Sequence, residues 1–89
     1  MRLRFEPAAA DSYQDVADEE LLDGLDAVFD ELEKNPGQAS LRRHRWSDPP
    51  VWGVAIRGRR EELLVLWSME TFDGEQTVVV RYIGPGIPA

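Results

Sequence analysis

Cysteine is absent from this 89-residue chain, histidine occurs once, and the net charge is −7. Without thiols, the sequence excludes disulfides, cysteine-based zinc sites and a cysteine nucleophile. No apolar run approaches the roughly 18–20 residues that a membrane-spanning helix needs. The N-terminal stretch MRLRFEP alternates polar and apolar residues and lacks the apolar core of a signal peptide. We therefore expect a cytoplasmic protein that does not associate with a membrane.

Basic side chains are scarce as well, with 10 against 17 acidic ones, and they are unevenly distributed. Residues 1–34 carry three basic and eleven acidic side chains, whereas residues 35–89 carry seven basic and six acidic ones. Nonspecific nucleic-acid binding depends on Lys and Arg replacing counterions, so the overall charge argues against a general phosphate binder. The N-terminal part should present an acidic surface, and the arginines cluster in the C-terminal part.

Hydrophobic periodicity predicts the order β-α-α-β-β-β-β in a single domain spanning residues 1–89. The predicted helices are a short one capped by Asp11, with Gln14 completing a capping box, and a second from Asp18, whose carboxylate is expected to cap it, to Lys34. The predicted strands cover residues 2–6, 39–46, 51–57, 63–69 and 77–83. The predicted fold class is α+β. An N-terminal strand and a two-helix hairpin precede a four-stranded antiparallel meander, with both helices on one face of a twisted sheet.

Local signals fix parts of this arrangement more closely. Leu21, Leu25, Val28 and Leu32 form one helical stripe, and Asn35 before Pro36 predicts a left-handed helix stop. The run at 63–69 is apolar on both faces and should be the central strand. The Asp-Gly pair in FDGE, residues 72–75, predicts a tight hairpin before the last strand.

The stretch LRRHRW, residues 41–46, concentrates four basic side chains and a tryptophan. If the strands over 39–46 and 51–57 pair, arginines from this stretch and from the following turn could grip phosphates, while tryptophan stacks on unpaired bases. The predicted RNA-binding residues are Arg42, Arg43, Arg45, Arg59, Arg60 and Trp46. The ordinary alternative is that these arginines are solvent-exposed strand residues that offset the acidic helices.

His44 is the only side chain whose unperturbed pKa lies near neutrality, which makes it a candidate for proton transfer. The alternative is a surface histidine kept neutral by the neighbouring arginines. The acidic residues of the helices lack the spacing of an EF-hand loop or a carboxylate–histidine bundle, and no P-loop or dinucleotide motif occurs. We expect neither a metal nor a cofactor.

The order and length of the predicted elements, with the landmarks LDAVFDELEKNPG, LRRHRW, VWGVAIRGRREELLVLWSM and TVVVRYIGPG, resemble the RelE/ParE toxin-like superfamily. The resemblance covers nearly the whole chain. It implies a toxin of a type II toxin–antitoxin pair, in a family where some members cleave mRNA in the ribosomal A site and others act on DNA gyrase.

Carried over by position, the resemblance implies Arg57 at the first arginine of the family's LRVGDYR-like segment, while Glu62 stands at the second. Arg81 and Tyr82 lie just upstream of the C-terminal position where RNase members place a catalytic side chain. The predicted catalytic set is therefore His44, Arg57, Arg81 and Tyr82.

Two functions follow from these patterns. One is a toxin-like translation inhibitor with an atypical basic site that acts on ribosome-bound mRNA. The alternative is a non-catalytic protein-interaction module, either a degenerate toxin or a ParE-like binder of another protein. In both cases an antitoxin-like protein from a neighbouring gene is the expected partner, bringing basic segments or mostly apolar contacts. The sequence leaves open whether two copies of the chain form a homodimer.

Overall fold

The computed structural model of the chain describes residues 2–38, 41–42, 44–45, 50–58 and 60–86. Its elements follow the predicted order β-α-α-β-β-β-β and confirm the α+β fold. In chain order they are β1 (Arg2–Phe5), α1 (Pro7–Asp15), α2 (Glu19–Lys34), β2 (His44–Arg45), β3 (Trp52–Arg57), β4 (Glu62–Phe72) and β5 (Glu75–Pro85).

The strands form one sheet in the order β1-β5-β4-β3-β2. The pairs β2–β3, β3–β4 and β4–β5 are antiparallel, as the predicted meander requires, and β4 is the central strand. β1 instead lies parallel to β5, with Leu3 opposite Val78 and Phe5 opposite Val80. The sheet is therefore mixed, because the first strand of the chain pairs with the last.

Two predicted boundaries differ from the structure. α1 begins at Pro7, with Glu6 as a cap residue that makes no side-chain cap bond, and Asp11 lies inside the helix. Proline is well suited to this first position, since its missing N–H would have no partner in a helix anyway. The predicted strand over 39–46 is, among its described residues, confined to His44–Arg45, and Leu41 lies in a 3-10 turn.

The ends of α2 combine a confirmed and a wrong prediction. The Asp18 side chain accepts from the backbone N–H groups of Glu20 and Leu21, at 2.9 and 3.5 Å, and caps the helix as predicted. Asn35 has φ −154°, so it is not a left-handed stop. Its N–H still donates to the Glu31 carbonyl, and Pro36 prevents the helix from continuing.

One face of the sheet packs against both helices and holds the core. Leu21, Leu25 and Leu32 of the predicted stripe are fully buried, whereas Val28 is only partly buried against the core. Phe29, beside Val28, is nearly fully buried as well. They meet sheet side chains of β3, β4 and β5: Ile56, Leu63, Val65, Trp67, Val78, Val80 and Ile83. Burying each large apolar side chain contributes about 1.5–3 kcal/mol relative to leaving it exposed.

Close approach of α2 to the sheet depends on a glycine. A Cβ added at Gly24 would lie 2.5 Å from the Cγ2 atom of Ile56, well inside the normal contact distance. The helix can therefore rest directly on β3 only where it has no side chain. An alanine here would force the helix and the strand apart.

Tyr13 connects α1 to α2. Its ring lies 5.5 Å from that of Phe29 and 6.2 Å from that of Phe5, and its hydroxyl donates to the Asp26 carboxylate at 2.5 Å. This hydrogen bond, together with partial burial and the charge of Asp26, raises the pKa of Tyr13 above its ordinary value. The protonated hydroxyl is thus part of the contact that holds the two helices together.

Candidate functional site

The arginine predicted on the last strand lies at an irregularity of the sheet. Leu66 pairs with Tyr82 and Trp67 pairs with Val80, so Arg81 is an extra residue in β5. Ser68 and Glu70 alternate with the core residues of β4 and therefore belong to the face opposite the helices. The Arg81 side chain contacts both of them, which places its guanidinium on that opposite face.

Each nitrogen of the Arg81 guanidinium has a partner within the chain. Nε donates to Ser68 Oγ at 2.7 Å, Nη1 to Glu6 Oε1 at 2.6 Å, and Nη2 to Glu70 Oε1 at 2.5 Å. Two carboxylates around one guanidinium leave this cluster with a formal charge of −1. An incoming phosphate would have to displace a carboxylate before it could reach Arg81, so the surroundings of Arg81 oppose anion binding.

Arg81 and Tyr82 are neighbours in β5, whereas Arg57 and the backbone of His44 lie apart from them and from each other. Arg57 pairs across the strands with Glu62, 3.5 Å from Nε to Oε2, and both side chains are largely exposed. The Tyr82 hydroxyl donates to the Pro85 carbonyl at 3.0 Å. The rung His44–Gly53–Leu66–Tyr82 crosses four strands, so the backbones of His44 and Tyr82 are about 14 Å apart.

The hairpin of β2 and β3 forms, but among the described arginines it does not bring Arg45 close to Arg57 or Arg60. Arg45 lies opposite Trp52, and Arg57 is five residues further along β3, a separation of about 17 Å along an extended strand. Arg57 instead lies beside the turn that contains Arg60. Arg45 and Arg60 are both exposed and occupy opposite ends of the β3 region.

Arg42 takes a structural position. Its Nε donates to the Pro36 carbonyl at 2.8 Å, and its guanidinium lies 4.1 Å over the Trp52 ring and 5.6 Å from the Trp67 ring. These contacts fix the segment after α2 onto the aromatic pair of β3 and β4. Trp67 completes the arrangement, because its Nε1 donates to the Leu41 carbonyl at 2.8 Å in the buried interior.

Three of the predicted RNA-binding residues, Arg43, Trp46 and Arg59, lie outside the described residues. For His44 the structure describes the backbone alone. The predicted roles of these four residues therefore stay predictions. Among the residues that the structure describes, no group of three His, Cys, Asp or Glu side chains is placed to hold a metal ion. None of the described helices is both long and apolar enough to cross a membrane.

The sequence analysis did not identify a cleft of about 500 Å³ where the α1–α2 connection meets the ends of β4 and β5. The cleft combines an apolar floor with acidic side chains at its rim. Its lining residues are Ser12, Asp15, Val16, Ala17, Asp18, Glu61, Leu63, Ile83, Gly84 and Pro85. The run DVADEE contained a signal for it, since carboxylates there surround two small apolar residues between two helices.

Comparisons with protein-family models, with curated proteins and with solved structures find no match to this chain.

Proposed function

We propose that the chain is a non-catalytic protein-binding module, the toxin-like member of a pair with an antitoxin-like protein from a neighbouring gene. The observation that carries this proposal is the environment of Arg81. The Arg81 guanidinium, on the face of the sheet opposite the helices, is surrounded by Glu6, Glu70 and Ser68. A site built to hold RNA would leave such a group available to phosphates.

The separation of the candidate catalytic groups supports the same proposal. General acid–base catalysis needs its donor and acceptor within hydrogen-bond reach of one reacting group. His44 and Tyr82 lie on strands about 14 Å apart at the backbone, with two strands between them. The Tyr82 hydroxyl also contacts its own chain at Pro85. The described geometry favours binding over bond cleavage.

The second candidate function is an mRNA-cleaving translation inhibitor, and one observation favours it. Arg45 and Arg60 are exposed and occupy the basic segments that the RelE/ParE resemblance implies. Ribosome-bound mRNA could therefore meet positive charge at these two places. The two functions differ in whether the purified chain cuts RNA.

The test combines a negative and a positive measurement. The purified chain is added to ribosomes translating a defined mRNA, and cleavage is followed by primer extension. The chain is also co-expressed with the product of the neighbouring reading frame, and the mass of any complex is measured by light scattering after gel filtration. We expect no cleavage and a stable complex.

Two results would overturn the proposal. One is cleavage that Arg45→Ala/Arg60→Ala abolishes while the variant stays folded, which would establish the RNase function. The other is two separate monomers in the co-expression experiment, which would remove the partner. Arg42 is left unchanged in these variants, because its contacts with Pro36 and Trp52 make its loss a folding defect.

A further inference from the structure

We infer that the cleft between the α1–α2 connection and the ends of β4 and β5 binds a basic peptide segment of the partner, anchored by an aliphatic side chain. This inference rests on the proposed protein-binding function and specifies the chemistry of the partner. Three features of the cleft support it: its shape, the sign of its charge, and the position of one carboxylate that does not stabilise the fold.

The shape of the cleft suits an aliphatic side chain. Its volume of about 500 Å³ falls within the usual range of roughly 300–1,000 Å³ for ligand sites. Leu63 and Ile83, 5% and 2% exposed, form a floor that belongs to the packed core. Val16 is half-buried and Pro85 exposed, so apolar surface continues from this floor up the wall toward solvent.

The charge of the cleft suits a cation. Asp15, Asp18 and Glu61 contribute three carboxylates, and the described lining residues include no Lys or Arg. Electrostatic attraction to a rim of this kind accelerates association and selects partners by the sign of their charge. A phosphate backbone would be repelled from the same place. The expected peptide segment therefore carries arginine or lysine residues on either side of an apolar side chain that enters the cleft.

Asp15 gives the most specific indication. It is the last residue of α1, its side chain is exposed, and no basic residue lies in the last turn of this helix. A carboxylate at this end meets the negative end of the helix dipole, which disfavours it. Helix stability therefore does not explain an acidic residue here. A cation bound in the cleft would offset both the carboxylate of Asp15 and the negative end of the helix dipole.

Asp18 has a separate duty, because its carboxylate caps α2. The test therefore uses Asp15→Asn/Glu61→Gln, which neutralises two rim carboxylates and leaves the cap intact. Asp30→Asn/Asp73→Asn is the matched control. It removes the same charge from exposed positions away from the cleft, and asparagine tolerates the positive φ of residue 73.

The probe is a fluorescein-labelled hexapeptide in which two leucines stand between two pairs of arginines. One comparison peptide replaces the leucines with glycines, and another replaces the arginines with glutamates. Binding to the full chain is measured by fluorescence anisotropy at low and high salt. Amide chemical shifts of the 15N-labelled chain locate the bound peptide.

We expect the leucine–arginine peptide to bind, with its largest shift changes at Val16, Ala17 and Gly84. The cleft double variant should weaken binding about tenfold, whereas the control double variant should change it less than about threefold. Binding should also weaken at high salt.

Four results would overturn the inference. They are no binding of the leucine–arginine peptide, equal weakening by both double variants, equal binding of the glycine–arginine peptide, and shift changes at a surface other than the cleft. The second and third would indicate general attraction to an acidic surface, and the fourth would place the peptide elsewhere. The proposed function is judged separately by RNA cleavage and complex formation. A partner that binds wild type and the cleft double variant alike would support the function and refute the cleft.

Discussion

Replacing Arg81 with methionine removes one guanidinium that joins three side chains on the open face of the sheet. The exposed fractions are 33% for Arg81, 42% for Glu6 and 38% for Glu70, so solvent weakens both ion pairs. Each such pair contributes about 0.2–1 kcal/mol, and the hydrogen bond to Ser68 contributes about 1 kcal/mol. Methionine retains much of the apolar stem. We therefore expect Arg81→Met to lower the free energy of unfolding by about 2 kcal/mol.

The measurement is urea unfolding followed by far-ultraviolet circular dichroism, with the slope m compared between variants. Arg57→Met is the matched control, because Arg57 makes one ion pair from a side chain that is 87% exposed. It should change the free energy by less than about 0.5 kcal/mol. In the Glu6→Gln/Glu70→Gln background, Arg81→Met should cost less than in the wild type, since the charged partners are gone.

A loss as small for Arg81→Met as for Arg57→Met would refute this reasoning. It would mean that the carboxylates do not hold the guanidinium in solution, and Arg81 would then be free to meet a phosphate. The same result would weaken the proposal of a non-catalytic module. A stability measurement can therefore test a functional argument without any knowledge of the partner.

Three further outcomes follow from the contacts of the fold. Trp67→Phe should lower the free energy of unfolding in urea by about 2–4 kcal/mol, because it opens a cavity and leaves the buried Leu41 carbonyl without its donor. A loss below about 1 kcal/mol would contradict this contact. Asp18→Ala should lower the free energy of unfolding by about 1 kcal/mol, and Asp18→Asn should lower it much less, since asparagine also caps helices. Equal losses for the two variants would contradict the cap. The raised pKa of Tyr13, caused by its hydrogen bond to Asp26, partial burial and the Asp26 charge, stabilises the fold fully below about pH 10 and less as the pH rises through the folded-state pKa. Tyr13→Phe should therefore flatten the alkaline loss of stability measured by circular dichroism, and identical profiles would refute the contact.

The turn between β4 and β5 shows what local sequence can predict. Asp73 and Gly74 both adopt positive φ, 51° and 82°, as an Asp-Gly pair in a tight hairpin requires. The apolar alternation on either side extends both strands to eleven residues. The cap at Asp18 was predictable for the same reason, because its partners are two and three residues away.

Contacts between distant residues account for the features that the sequence did not predict. The parallel pairing of β1 with β5 joins Leu3 to Val78, and nothing within β1 specifies a partner so far along the chain. The segment around Leu41 alternates like a strand. The structure instead directs the Leu41 carbonyl to the indole of Trp67, 26 residues away. Tertiary hydrogen bonding overrode the local pattern there.

The candidate site depends on long-range contacts in the same way. Sequence spacing identified Arg81 as a cation near the end of the chain. One of the two carboxylates that neutralise it, that of Glu6, lies 75 positions earlier. The cleft likewise combines Asp15 from the end of α1 with Glu61 from the turn before β4. The residue types and their spacing can be read from the sequence. The charged side chains that surround each residue in the fold cannot, because they come from distant parts of the chain.

The sign of the charge expected on the partner follows from this arrangement of charges. Among the described residues, Arg2, Arg57 and Arg81 all contact carboxylates, so the charge of these three arginines is compensated within the chain. The chain still carries a net charge of −7, and its excess carboxylates lie on the helices and around the cleft. A polyanion would be repelled from the helices and from the cleft, whereas a basic segment would be attracted to the cleft and could bury an apolar side chain on its floor. Protein binding at an acidic cleft therefore agrees with both the total charge and the local contacts, and RNA binding would have to overcome both.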